Sequence, residues 1–180
     1  AAENASETIA NQDDTAVIIY TSGTTGSPKG VMLSFLNLIT NIKAVSEYIP
    51  IYRPDSRVMV LLPLHHVFPL MGTMIIPLYL GGTIAISPSM ASEDIMATLR
   101  NNAITIIIGV PRLYAAIRKG IMDKVNKSAV ARTLYALASR LSSQAFSRKI
   151  FKTVHSKLGG SVEFLVSGGA ALDPEVGRDF

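Results

Sequence analysis

Short apolar runs alternate with stretches of helical period along most of the chain. Ala16–Tyr20 (AVIIY) has the length and composition of a buried strand. Across a Gly/Thr/Ser-rich stretch, Gly30–Leu33 is placed to pair back antiparallel as the second arm of a hairpin. Ser34 stands as the N-cap of a helix to about Tyr48, with Leu38, Ile42 and Val45 on one face. Beyond Pro50 and Pro54 the pattern predicts a strand over Arg57–Leu62, a helix over Val67–Leu80 and a strand over Thr83–Ser87. A helix over Ser92–Asn102 follows, with Glu93 and Asp94 in its first turn. Ile104–Gly109 is the next strand, and Pro111 opens a helix to about Val125. Ser128–Leu158 reads as one long helical stretch whose Val130, Leu134, Leu137 and Leu141 recur as a core stripe. Gly159-Gly160 ends it, Val162–Val166 is a strand, and Asp173-Pro174 starts a final helix. Apolar strands alternating with helices predict an α/β fold: a mostly parallel sheet with helices on both faces, preceded by the hairpin. Residues 1–13 are polar and aperiodic and read as a lead-in, leaving 14–180 as one unit.

Composition narrows the class. With 48% hydrophobic and 17% charged residues, the 180-residue chain is no disordered segment. The absence of Cys excludes disulfides, thiolate metal sites and a cysteine nucleophile, and is compatible with a reducing compartment. Residues 67–86 form an uncharged run of membrane-spanning length. Pro69, Pro77, Gly72, Gly81 and Gly82 interrupt it, so it reads as a buried helix followed by a strand. The net charge of +4 is uneven: residues 112–157 hold 11 basic side chains against one acidic, Asp123. Such a segment suits phosphates, nucleic acid or an anionic membrane, or else is a solvated helix face. No nucleic-acid-binding motif accompanies it, so nucleic acid is not an expected partner. The Ala start and the last helix, barely begun at Phe180, fit a piece of a longer protein.

The chemistry concentrates in Tyr20-Thr21-Ser22-Gly23-Thr24-Thr25-Gly26-Ser27-Pro28-Lys29-Gly30. Glycines let the backbone turn tightly and approach an anion, so that amide N–H groups converge on phosphate oxygens. The hydroxyls add donors and Lys29 a mobile positive charge. Such a loop suits a polyphosphate. It is not a Walker A loop, because Pro28 stands at the second glycine position and Gly30 where Ser or Thr would serve magnesium.

Tyr20–Gly30 resembles the phosphate-loop signature of the adenylate-forming superfamily at every position. Leu62-Pro63-Leu64-His65-His66-Val67-Phe68 resembles that family's second block, and Ser167-Gly168-Gly169-Ala170-Ala171-Leu172 its adenine-side turn. Gly109–Lys127, the long basic helix and Leu158-Gly159-Gly160 look most like long-chain fatty acyl-CoA synthetases. The resemblance implies ATP and coenzyme A as co-substrates, a fatty acid as acyl donor, and Mg2+. It implies phosphate contacts from Thr21, Ser22, Gly23, Thr24, Thr25, Gly26 and Lys29; spacing leaves open which hydroxyl meets the metal, and Thr21 is the expected one. His66 and Val67 would lie beside the nucleotide and acyl pocket, and Gly168, Gly169 and Ala170 against adenine and ribose. Lys29 and His66 are the expected catalytic residues.

His65 and His66, being adjacent, would point to opposite faces of a strand and so not share one metal. The Val67–Leu80 helix either walls the acyl pocket or is simply core. A Tyr-Gly-x-Thr-Glu block, a ribose-binding aspartate and a C-terminal lid with its lysine do not occur in these residues. The chain is therefore expected to be the central part of an N-terminal AMP-binding domain, inactive alone and prone to self-association. The expected compartment is the cytoplasm, with peripheral contact at the inner face of a membrane. Three rivals stay open: an adenylating enzyme for an aryl, short-chain or amino acid, a nucleotide- or polyanion-binding module without turnover, and a membrane-associated scaffold built on residues 67–86.

Overall fold

A computed structural model describes residues 10–21, 27–141 and 152–180. β1 (Thr15–Thr21) and β2 (Lys29–Ser34) form the antiparallel hairpin, in register from Val17 opposite Leu33 to Thr21 opposite Lys29. The hairpin is a two-stranded sheet of its own. Its apolar side chains are open: Ile18 is 48% and Tyr20 70% exposed. This corrects the buried strand expected over Ala16–Tyr20. Burial on both faces needs neighbours on both faces, and β1 pairs only with β2.

Helix α1 (Phe35–Tyr48) follows β2 with no residue between them. The switch is made by a capping box. The Ser34 hydroxyl accepts from the Asn37 N–H (3.3 Å), and the Asn37 side-chain oxygen accepts from the Ser34 N–H (3.0 Å).

The main sheet has the order β4-β3-β5-β6 and is parallel throughout. Its strands are β3 (Arg57–Val60), β4 (Thr83–Ile86), β5 (Ile106–Gly109) and β6 (Phe164–Ser167). Successive side chains of β3 and β5 go to opposite faces. Met59 and Ile107 pack with Leu99 of α4 (Ser92–Asn101) and Leu113 of α5 (Pro111–Val125). Val58, Ile106 and Ile108 pack with Tyr52 and with Phe68 of α2 (Val67–Pro69). Helices therefore cover both faces, as the alternation of the sequence predicts.

The helix expected over Val67–Leu80 forms, with a change of winding inside it. After α2, Leu70–Ile75 is a π-helix, and α3 (Ile76–Tyr79) completes the element. The Ile76 N–H reaches back five residues to the Met71 carbonyl. The next rung would run from residue 77 to Gly72, but Pro77 has no N–H. The Tyr52 hydroxyl fills the gap, donating to the Gly72 carbonyl at 2.9 Å. Among the described residues no helix is long and apolar enough to cross a membrane.

Helix α6 (Ala129–Leu141) departs from expectation. Val130, Leu134 and Leu137 are 69%, 38% and 45% exposed, so they are not a core stripe. The half-buried face of the helix carries Ala131 and Tyr135 instead, and the Tyr135 hydroxyl donates to Asp179 of α8 (Pro174–Asp179). Residues 142–151, the middle of the predicted long helix, lie outside the described residues. Helix resumes as α7 (Lys152–Lys157) and ends at Gly159 and Gly160, both with positive φ. Asp173 caps α8 as predicted, its carboxylate accepting from the Glu175 N–H at 2.7 Å.

Candidate active site

Thr21 and Lys29 face each other on the last rung of the hairpin, at the neck of the glycine-rich loop. The Thr21 hydroxyl donates to the Lys29 carbonyl over a long 3.5 Å, and both side chains are exposed. On the rung below, Gly30 lies opposite Tyr20. A Cβ on Gly30 would come within 2.9 Å of Ile18 Cγ2 and 3.5 Å of the Tyr20 ring. The glycine after the lysine thus lets β1 side chains lie across β2. Ser22, Gly23, Thr24, Thr25 and Gly26 lie outside the described residues.

The second and third motifs meet at the carboxyl ends of the sheet strands, where ligands sit in open α/β folds. His66 is the residue before α2, with extended backbone (φ −99°, ψ 138°), and its carbonyl accepts the Leu70 N–H. The segment before it is a turn, closed by the His66 N–H donating to the Pro63 carbonyl. This corrects the strand geometry assumed for the two histidines. Their rings lie 4.2 Å apart, tilted by 49°, rather than on opposite faces. Two residues on, Phe68 packs on the β6 turn. A Cβ on Gly168 would lie 2.4 Å from the Phe68 ring, which no side chain tolerates. Gly169 has φ +78°, a conformation that favours glycine. The Gly168 N–H donates to the Gly109 carbonyl (3.2 Å), continuing the β5–β6 ladder past the strand end.

Three contributors were given no role from the sequence, although Phe68 and Ser167 lie within the second and third motifs. Phe68 joins the two motifs. Tyr114 of α5 is buried, and its hydroxyl reaches the Ile107 (3.0 Å) and Val166 (2.8 Å) carbonyls, tying β5 to β6 directly behind the turn. Burial pushes that hydroxyl's pKa upward, so it stays a donor. Ser167, the last residue of β6, has a buried Oγ with no hydrogen-bond partner among the described residues. No periodicity or composition marks Ser167. Tyr114 was visible only as one more apolar position.

Val67 is 45% exposed. With Met71 it lines a cavity of about 180 Å3 whose other walls are Leu33, Asn37, Leu38 and Asn41. From Leu33 to Lys29 there remain roughly 13 Å of strand. The hairpin base and the second motif therefore adjoin, with the neck displaced along β2. Among the described residues no three His, Asp or Glu side chains gather to hold a metal. An Mg2+ ion that keeps most of its ligands as phosphate and water oxygens needs only one or two from protein. The Thr21 hydroxyl, an oxygen ligand whose hydrogen bond among the described residues is a long one, fits that requirement.

Comparison with known proteins agrees with this geometry. The family model described as AMP-binding enzyme matches residues 1–180. The chain is 34% identical over 177 residues to long chain acyl-CoA synthetase 6, peroxisomal, of Arabidopsis thaliana, covering 91% of this chain and 24% of that protein. The ATP-bound crystal structure of MatB from Rhodopseudomonas palustris superposes with a TM-score of 0.63 at 26% identity, over 94% of this chain and 27% of that one. A malonyl-CoA ligase ternary product complex with methylmalonyl-CoA and AMP bound gives 0.65 at 27% identity, over 96% and 31%. The chain spans about a quarter of the length of the curated relatives it matches. The match of the AMP-binding enzyme model along residues 1–180, to a chain whose motifs are gathered on a hairpin and at the sheet's carboxyl edge, establishes that this chain belongs to the AMP-binding enzyme family.

Proposed function

We propose that the protein carrying these residues is an ATP-dependent long-chain fatty acyl-CoA synthetase. A fatty carboxylate attacks the α-phosphorus of ATP; the bond to the β,γ-pyrophosphate breaks, and pyrophosphate leaves with its electron pair. The thiol of coenzyme A then attacks the acyl carbonyl, AMP departs, and the thiol proton passes to solvent. The observation that carries this reading is the eleven-residue motif Tyr20–Gly30, presented by a hairpin that pairs Thr21 with Lys29. Likeness to a plant long chain acyl-CoA synthetase supports the acyl class.

The first step joins two anions, so the residues' task is electrostatic. Lys29 and the loop hydroxyls and amides of Thr21, Ser22, Gly23, Thr24, Thr25 and Gly26 neutralise and orient the phosphates. Magnesium, when bound, would spread the phosphate charge, with Thr21 as its protein-side oxygen. The carboxylate is already ionised, so no general base is required. His66 stands between phosphates and acyl group, and Val67 begins the wall of the acyl pocket. Gly168, Gly169 and Ala170 present flat backbone to adenine and ribose. Residues 14–180 form the central part of the N-terminal domain, and alone they catalyse neither half-reaction.

ATP–pyrophosphate exchange by the full-length protein tests the reading. Exchange should depend on palmitate and fall roughly 10²-fold in Lys29→Ala, the scale of losing one transition-state charge contact. Exchange driven only by aryl, short-chain or amino acids would replace the acyl class, and exchange indifferent to Lys29 would overturn the phosphate-loop role. The isolated 180 residues should give only background exchange.

A further inference from the structure

The basic segment of the sequence, residues 112–157, finds no role in the chemistry above. Its last helix, α7, brings Lys152, His155 and Ser156 to the wall of an open cavity of about 680 Å3. That volume is typical of small-molecule sites. The cavity lies at the amino-terminal edge of the parallel sheet. Its other walls are Asp55 and Arg57 at the start of β3, Ala103 and Thr105 ahead of β5, and residues 160–163 ahead of β6. The motifs at Gly109 and Gly168 are at the opposite edge, four-residue strands or roughly 13 Å away.

The charges of this cavity are unequally matched. Both carboxylates are held by one guanidinium: Arg53 binds Asp55 at 3.1 Å and Glu163 at 2.8 Å. Arg57 donates to the Asn102 carbonyl at 3.1 Å, a neutral acceptor, and forms no ion pair among the described residues. Lys152 has no such pair either. Two cations therefore stand without a carboxylate. Around them are the Ser156 and Ser161 hydroxyls, with the latter carried on a turn through two left-handed glycines, Gly159 (φ 88°) and Gly160 (φ 73°). Cations with no carboxylate partner among the described residues, beside two hydroxyls in a concave site, match one chemistry, a phosphate group with several acceptor oxygens.

We propose that this cavity is a second anion site, separate from the nucleotide loop, which takes a phosphate group carried on a small molecule or on a lipid headgroup. It gives Lys152, one of the basic segment's cations, a ligand at the edge of the sheet remote from the acyl chemistry. The inference does not depend on which acid the protein activates.

Calorimetric titration of inorganic pyrophosphate into the full-length protein reads the site. Two classes of binding are expected. Lys29→Ala should weaken one and Lys152→Glu the other, the latter at least about tenfold, equivalent to ~1.4 kcal/mol. Lys152 is exposed, so an unchanged thermal transition in Lys152→Glu would confirm that the variant folds. Sedimentation with phosphatidylglycerol vesicles, against phosphatidylcholine controls, identifies the source. If pyrophosphate shows a single Lys29-dependent class while vesicle binding requires Lys152, the phosphate belongs to a lipid. If neither titration nor vesicle binding changes in Lys152→Glu, the proposal is overturned. Fatty-acid-dependent exchange, measured on the same variant, reports separately on the catalytic reading and should be unaffected.

Discussion

At Gly168 the absent side chain is explained by Phe68. A methyl group there would overlap an aromatic ring that itself sits against the core residues Val58 and Ile108. Gly168→Ala should therefore cost about 1–3 kcal/mol, the range for overpacking, read as a lower urea midpoint. Phe68→Leu should restore part of the loss in the double variant; strict additivity would deny the contact. Ser167 makes the opposite prediction. Its buried hydroxyl has no partner among the described residues, so Ser167→Ala should be neutral or stabilising by up to about 1 kcal/mol. A fall in ATP affinity without a fall in stability would show that the hydroxyl is kept for a ligand. At this scale the sequence was informative wherever a residue type is rare for a physical reason. Glycines after an apolar run and a lone lysine between Pro28 and Gly30 stood out. Phe68, Tyr114 and Ser167 did not, because an aromatic in an apolar stretch and a serine at a strand end have many ordinary uses. What distinguishes them is a contact with a residue distant in the chain.

At the element scale, capping and proline chemistry decide the outcome. The junction of β2 and α1 has no linker, so the Ser34–Asn37 box alone fixes where strand becomes helix. Ser34→Ala should lower stability by about 1 kcal/mol, and Asn37→Ala by less. The π-helical turn depends on Tyr52, whose hydroxyl replaces the N–H that Pro77 lacks. Burial pushes that hydroxyl's pKa up to about 12. An unfolded tyrosine ionises near pH 10, so the folded state binds this proton more tightly. Its contribution is therefore complete below pH 10 and is lost as pH rises from there towards 12. Tyr52→Phe should be less stable at neutral pH and show a shallower alkaline decline than the parent in urea titrations from pH 8 to 12. An equal slope in both proteins would remove Tyr52 from the account. The strands, α5 and the Asp173 cap were legible because each has a local signature: an apolar run, Pro111 at a first turn, Asp before Pro. The π-turn was hidden, since Pro69 and Pro77 signal interruption without specifying how the freed carbonyl is satisfied. The Val130–Leu137 stripe misled for a related reason: periodicity shows that a helix has an apolar face, not that something covers it.

Across the whole molecule, apolar surface is open in several places, the hairpin and an edge of the main sheet among them. Ile18, Tyr20 and Met32 are exposed on the hairpin, and Ile86 is 69% exposed on β4, an edge strand of the main sheet. Exposed edges and patches of this kind favour association. The isolated 180 residues should sediment as species that grow with concentration, whereas a single monomer boundary across a hundredfold dilution would refute this. Parallel pairing could be anticipated from the alternation of elements, but the order β4-β3-β5-β6 could not, because it is set by which helices cross which face. The hairpin's separateness has a further consequence. Thr21 and Lys29 are rung partners, so the seven residues between them begin and end one strand spacing apart before any ligand arrives. The conformational entropy of bringing those ends together is lost on folding, not on binding. In the phosphate-binding role proposed for this loop, affinity would then depend on rungs that never touch the ligand.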